Sequence, residues 1–184
     1  MSTSNFRDWL DHLDLSIVRW LARYSLPFLR FGMGLVFLWF GALKFFPGAS
    51  PATDLAVRTI GVLTFGLIPA NVSLLLLASL ETAIGLGFLT GRYMRLTLAL
   101  LVFQMAGTLT PLALFPGEAF TYLPFAPTLE GQYIIKNVVL IGAGLVIGAT
   151  VRGGHIIAEP HELPGQPLQL APQPVRLRWR QQQR

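Results

Sequence analysis

Four runs of roughly twenty apolar residues, each nearly free of charge, punctuate this chain. They cover residues 27–46, 72–90, 95–115 and 133–151. At 1.5 Å of rise per residue, each reaches about 30 Å as a helix, the thickness of a bilayer's hydrocarbon core. Lipid offers no hydrogen bonds to a bare backbone, so a crossing segment must be a helix or part of a closed barrel. Runs of this length fit helices. Only 12% of the residues are charged and the mean hydropathy is +0.56, against about 25% charged in a soluble domain. The expected fold is therefore all-α, an integral membrane four-helix bundle. The first run is too long for the apolar part of a signal peptide, and no small-residue cleavage site follows Phe46 and Pro47, so it is expected to be retained.

Flanking segments complete three regions. Residues 1–25 set Phe6, Trp9, Leu10, Leu13, Ile17, Trp20, Leu21 and Tyr24 at helical steps, with Asp8, Asp11, Asp14, Arg19 and Arg23 on much of the other face. This predicts an amphipathic helix lying in the membrane interface, or a helix packed on a partner. Residues 26–151 form the bundle, its first helix opened by Pro27 and closed by Pro47. Residues 152–184 are rich in proline and glutamine without apolar period and are expected to be largely disordered. The link Gly91–Met94 is so short that the second and third spans must form an antiparallel hairpin. Residues 53–69 are too polar to cross and predict a short helix over one mouth of the bundle. Pro111 should kink the third span, with Thr108 and Thr110 able to satisfy the freed carbonyls.

Four spans put both termini and the Gly91–Met94 link on one side. That side holds Arg7, Arg19, Arg23, Arg92, Arg95, Arg152, Arg176, Arg178, Arg180 and Arg184; the other holds Lys44, Arg58 and Lys136. The excess predicts cytoplasmic termini and a plasma (inner) membrane location. It also accounts for the basic charge without nucleic acid as a partner.

Chemistry is expected around Glu81, which stands in the middle of an uncharged run. A carboxylate there costs roughly 2.5–3.5 kcal/mol and persists if neutral, paired or bathed in water. Gln104 in the neighbouring span reaches the same depth and predicts a hydrogen bond to it. Lys44, Lys136, Asn137, Thr108 and Thr110 fall toward the outer side. Together they predict a polar column that could bind a quinone headgroup or pass a proton. The alternatives are plain: both lysines turn outward to the headgroups, and Glu81 makes only an interhelical bond. Glycines 34 and 41, 87 and 91, and 144 and 148 mark close helix approach. His155, Glu159, His161 and Glu162 match no standard metal spacing, and no metal site is expected. Cysteine is absent, which excludes disulfides, thiol redox chemistry and cysteine-held clusters within the chain.

The first span LRFGMGLVFLWFGALKFF resembles the opening helix of DoxX-like membrane proteins. The resemblance continues through the acid of LASLETAIGLGFLTGRYMR, the polar third span QMAGTLTP and the start EGQYIIKNVVLIGAG, covering roughly residues 26–151. It implies a membrane subunit of a redox-associated assembly, accessory more than catalytic, working beside other protein subunits. A bound quinone is the one cofactor it suggests. A proton-coupled or small-solute transporter, and a structural anchor recruiting a soluble partner, stand as alternatives.

Overall fold

The computed structural model describes residues 3–46, 48–50, 53–151 and 153–154, with the helical backbone alone for residues 3–12. Among the described residues, seven helices run in the order α1 (Thr3–Leu43), α2 (Thr53–Leu63), α3 (Ala70–Thr90), α4 (Met94–Leu109), α5 (Pro111–Leu114), α6 (Pro116–Ala119) and α7 (Leu129–Thr150). Two short strands, β1 (Phe120–Tyr122) and β2 (Ala126–Pro127), lie between α6 and α7. Four segments are long and apolar enough to cross a membrane: Leu13–Leu43, Ala70–Thr90, Met94–Leu114 and Leu129–Thr150. The four-helix expectation holds. Apart from Gly153 and Gly154, the tail expected over residues 152–184, with its histidines, lies outside the described residues.

One expectation is corrected at the start of the chain. Pro27 does not open a new helix; α1 runs through it from Thr3 to Leu43 without interruption. A proline forfeits one backbone hydrogen bond and crowds the preceding turn, yet the helix continues across it. Residues 13–25 of α1 are exposed on every side, and burial begins only at Leu26, Leu29, Met33, Gly34 and Phe37. That three- and four-residue spacing is the stripe that meets the other helices.

The tightest seam joins α1 to α3. A side-chain carbon added at Gly34 would sit 2.7 Å from Leu89, and one at Gly41 would sit 2.7 Å from the Thr82 nitrogen; Gly85 likewise leaves room for the Leu38 backbone. With glycine on both faces the two backbones approach closely, where dispersion and not water exclusion supplies the attraction. Around this seam Met33, Phe37, Ile84, Phe88, Leu101, Met105, Ala143 and Ile147 form the buried core. Gly87 makes room for Thr97 of α4, and Gly144 makes room for Leu101. Of the anticipated glycines, 34, 41, 87 and 144 mark close helix approach; Gly148 makes only ordinary contact with Leu98, Gly91 is the cap of α3, and Gly85 was not among those anticipated.

Turn chemistry closes the hairpin between α3 and α4 as expected. Gly91 takes the left-handed cap (φ 68°) and its N–H bonds the Gly87 carbonyl at 3.0 Å. At Pro111 the chain breaks into α4 and α5. Proline has no N–H for the Gly107 carbonyl, and the Thr110 hydroxyl donates to that oxygen at 2.6 Å instead. Thr108 donates to the Gln104 carbonyl at 2.9 Å.

The short helix over one mouth is α2, packed on α3, α4 and α5. Its Arg58 forms a two-pronged ion pair with Glu118 of α6, one prong at 2.7 Å, and stacks over the Phe115 ring at 5.4 Å. The hairpin β1–β2 was not foreseen, because a three-residue strand carries too short an alternation to read. Thr128 anchors it to α7: its hydroxyl donates to the Glu118 carbonyl at 2.6 Å and accepts from the Gly131 N–H at 3.2 Å.

Candidate functional site

Glu81 sits near the middle of α3, 8% exposed. Its position follows from the α1–α3 seam: Gly41 lies directly against Glu81 and Thr82, so the last turn of α1 stops beside the middle of α3 and not at its far end. The backbone then folds into tight turns, with the N–H groups of Lys44, Phe45 and Phe46 bonding the carbonyls of Gly41, Ala42 and Leu43 at 3.1–3.2 Å. Those bonds satisfy the loose helix end locally.

Lys44 is the first residue past α1, and its ammonium donates to Glu81 Oε2 at 2.6 Å. The two side chains are 10% and 11% exposed, so this is a buried ion pair. The same ammonium also donates to the Phe40 carbonyl at 3.3 Å. From the other side Gln104 of α4, 7% exposed, donates its amide to Glu81 Oε1 at 3.0 Å. Each carboxylate oxygen therefore has its own donor, one charged and one neutral. Three helices contribute one group apiece, so the acid ties α1, α3 and α4 together. The hydrogen bond anticipated between Glu81 and Gln104 is present.

The other members of the expected column make no bond to the acid. Lys136 is exposed, its ammonium 5.5 Å from the centre of the Tyr133 ring, an arrangement in which cation and ring attract each other. It makes no ion pair with Glu81. Asn137 is half-buried one residue on. Thr108 and Thr110 are half-buried, but their hydroxyl protons go to carbonyls of their own helix. Only Lys44 and Gln104, of the six companions expected, reach the acid. Lys44 and Lys136 look alike in sequence, and the register of α1 against α3 separates them.

One neighbour was missed. Thr82, adjacent to Glu81 and packed beneath Gly41, buries its hydroxyl without a hydrogen-bond partner; Ser73 near the start of α3 does the same. A threonine beside an acid carries no distinguishing pattern, so nothing in the sequence could have singled it out. Among the described residues no group of three histidines, aspartates or glutamates is arranged to hold a metal.

Chemically, the cluster offers two N–H donors converging on a shielded carboxylate. It can hold negative charge away from water. If the acid took up a proton, the attraction to Lys44 would fall, and both donors would be free for an incoming carbonyl or anion. At the opposite end of the bundle, Arg30 lies against Gly91, well removed from this cluster. No family model, no curated protein and no solved structure matches the chain.

Proposed function

We propose that the protein is a multi-pass membrane subunit of a redox-associated assembly, quinone-linked, with Glu81, Lys44 and Gln104 as its intramembrane site. The observation that carries this reading is the buried carboxylate held by one ammonium and one amide from two other helices. A quinone headgroup needs N–H donors for its carbonyls and a nearby acid to supply or accept protons on reduction and reoxidation. Lys44 and Gln104 are such donors, and Glu81 is such an acid. With no cysteine in the chain, electrons would arrive through the quinone itself or a partner subunit. The exposed residues 13–25 of α1 are the surface on which that subunit, or the membrane interface, would dock. The DoxX-like pattern of the four spans supports the same assignment as a resemblance. The excess of arginine on the terminal side supports cytoplasmic termini in an inner membrane.

Gentle extraction from the native membrane, followed by native mass spectrometry, tests this. The wild-type protein should carry quinone or a partner subunit, and the Gln104→Leu variant should retain about tenfold less quinone, equivalent to roughly 1.4 kcal/mol of binding. A wild-type protein without quinone or protein partners overturns the reading.

A second reading, a proton-coupled transporter, is favoured by the way Glu81 clamps the end of α1. Protonation would release α1 from α3 and α4, which is what a gate requires. It predicts proton flux in proteoliposomes that survives Glu81→Asp and disappears in Glu81→Gln. Flux unchanged in Glu81→Gln rules this reading out.

A further inference from the structure

The end of the bundle that carries the α3–α4 link holds a feature that the Glu81 cluster does not use. A crevice of about 310 Å3 opens between α1, the α3–α4 turn and the end of α7. Arg30 forms its charged wall, with Pro27, Met94 and Ile147 as apolar walls. The guanidinium nitrogen would be 3.2 Å from a side-chain carbon at Gly91, so it lies over that turn and not out along α1. Among the described residues Arg30 has no hydrogen bond or ion pair.

A second, wholly apolar groove of about 190 Å3 continues along the same α1–α7 seam. Gly32, Met33 and Val36 line one side, and Val139 and Ala143 the other. A side-chain carbon at Gly32 would meet nothing within 4 Å, so the space there is open. Along α1, the distance from Leu26 at the crevice to Val36 at the groove's far end is about 15 Å. One leaflet of a 30 Å hydrocarbon core has about that depth.

We propose that this seam binds an anionic phospholipid from the leaflet on the side of the termini. The phosphate sits on the Arg30 guanidinium in the crevice, and an acyl chain fills the groove between α1 and α7. The argument is charge and shape together. A guanidinium presents N–H groups in the fork that matches two phosphate oxygens, while the groove offers no polar group and suits only hydrocarbon. Free phosphate would have no use for that groove, and a zwitterionic lipid would fill it but bring a second positive charge toward Arg30. This inference is independent of what happens at Glu81.

The test is reconstitution of the full chain into nanodiscs with equal amounts of phosphatidylglycerol and phosphatidylcholine, followed by native mass spectrometry of the lipids that stay bound. The wild type should retain phosphatidylglycerol preferentially. Arg30→Gln should lower the anionic-to-zwitterionic ratio about fivefold, the scale of one basic residue's attraction to an anionic surface. Gly32→Leu should reduce both lipids while leaving the ratio unchanged, since it fills the groove and spares the guanidinium. Thermal melts matching wild type establish that both variants are folded. A ratio unmoved by Arg30→Gln overturns the headgroup assignment. Retention unmoved by Gly32→Leu shows that any anion at Arg30 is not held as a lipid, and overturns the proposal as well.

Discussion

Toward α3, helix α1 presents Gly34 and Gly41 and receives Gly85 against Leu38; toward α7 it presents Phe28, Gly32 and Val36 across an open apolar groove. The same helix is thus locked on one side and loosely seated on the other. The difference lies in what each glycine meets. On the α3 side the missing side chain is replaced by a neighbour's backbone, so the fit is tight and the register fixed. On the α7 side the missing side chain is replaced by nothing, and lipid is the natural filler. The tight seam carries the buried ion pair, because only a fixed register can hold Lys44 to Glu81. A charge pair in a loose seam would have no such guarantee of meeting.

Breaking the ion pair should give the largest effect. Glu81→Ala leaves the Lys44 ammonium buried without its acid, and should cost about 3–5 kcal/mol in a denaturant-titrated unfolding assay. The double variant Lys44→Met with Glu81→Leu should recover much of that loss. Equal destabilisation in single and double variants would show that the pair itself is not what fixes α1. Next comes the seam. Gly85→Leu has to displace the Leu38 backbone and should cost about 1–3 kcal/mol, whereas Gly32→Ala on the α7 side should leave the melting temperature unchanged or slightly raised. Similar losses at both positions would erase the contrast between the two sides.

Smaller effects follow farther from α1. Thr110→Val removes the hydroxyl that serves the Gly107 carbonyl at the Pro111 break, and should cost about 1 kcal/mol in the same assay. The least is expected at the α2 lid. Arg58 beside Glu118 holds that carboxyl below the ordinary glutamate range, chiefly through their hydrogen bond. A lowered carboxyl value in the folded protein means the lid's added stability is fully present above the ordinary value and disappears as pH falls through the lowered one. Protection factors of residues 53–63, taken relative to the intrinsic exchange rate at each pH, should therefore fall in acid and in high salt, with Glu118→Gln removing the acid response. An acid response that survives Glu118→Gln would assign it to another group.

The sequence carried the helices and some of the site. Four runs of the right length gave the spans, the short link after Gly91 forced α3 against α4, and that adjacency put Gln104 within reach of Glu81. Thr110 was legible because a proline's missing N–H defines which carbonyl needs a donor, that of Gly107; Thr108 instead bonds the Gln104 carbonyl, which Pro111 does not free. Other features depended on tertiary register. Lys44 and Lys136 each follow a glycine- or aromatic-rich stretch near the same side, and only the stopping point of α1 beside α3 sends one inward and leaves the other out. The continuity of α1 through Pro27 was hidden for a related reason: the amphipathic pattern before it and the apolar run after it read as separate helices divided at the proline, although the helix carries on through it.

At 41 residues, α1 is about 60 Å long, roughly twice the length of α3. Residues 13–25 of this rod are exposed on every side; its far end leads into the turn whose ammonium grips Glu81. The helix is continuous from its exposed stretch, through Pro27, to the turn that carries Lys44, so a single element joins the bundle's exposed surface to its buried acid.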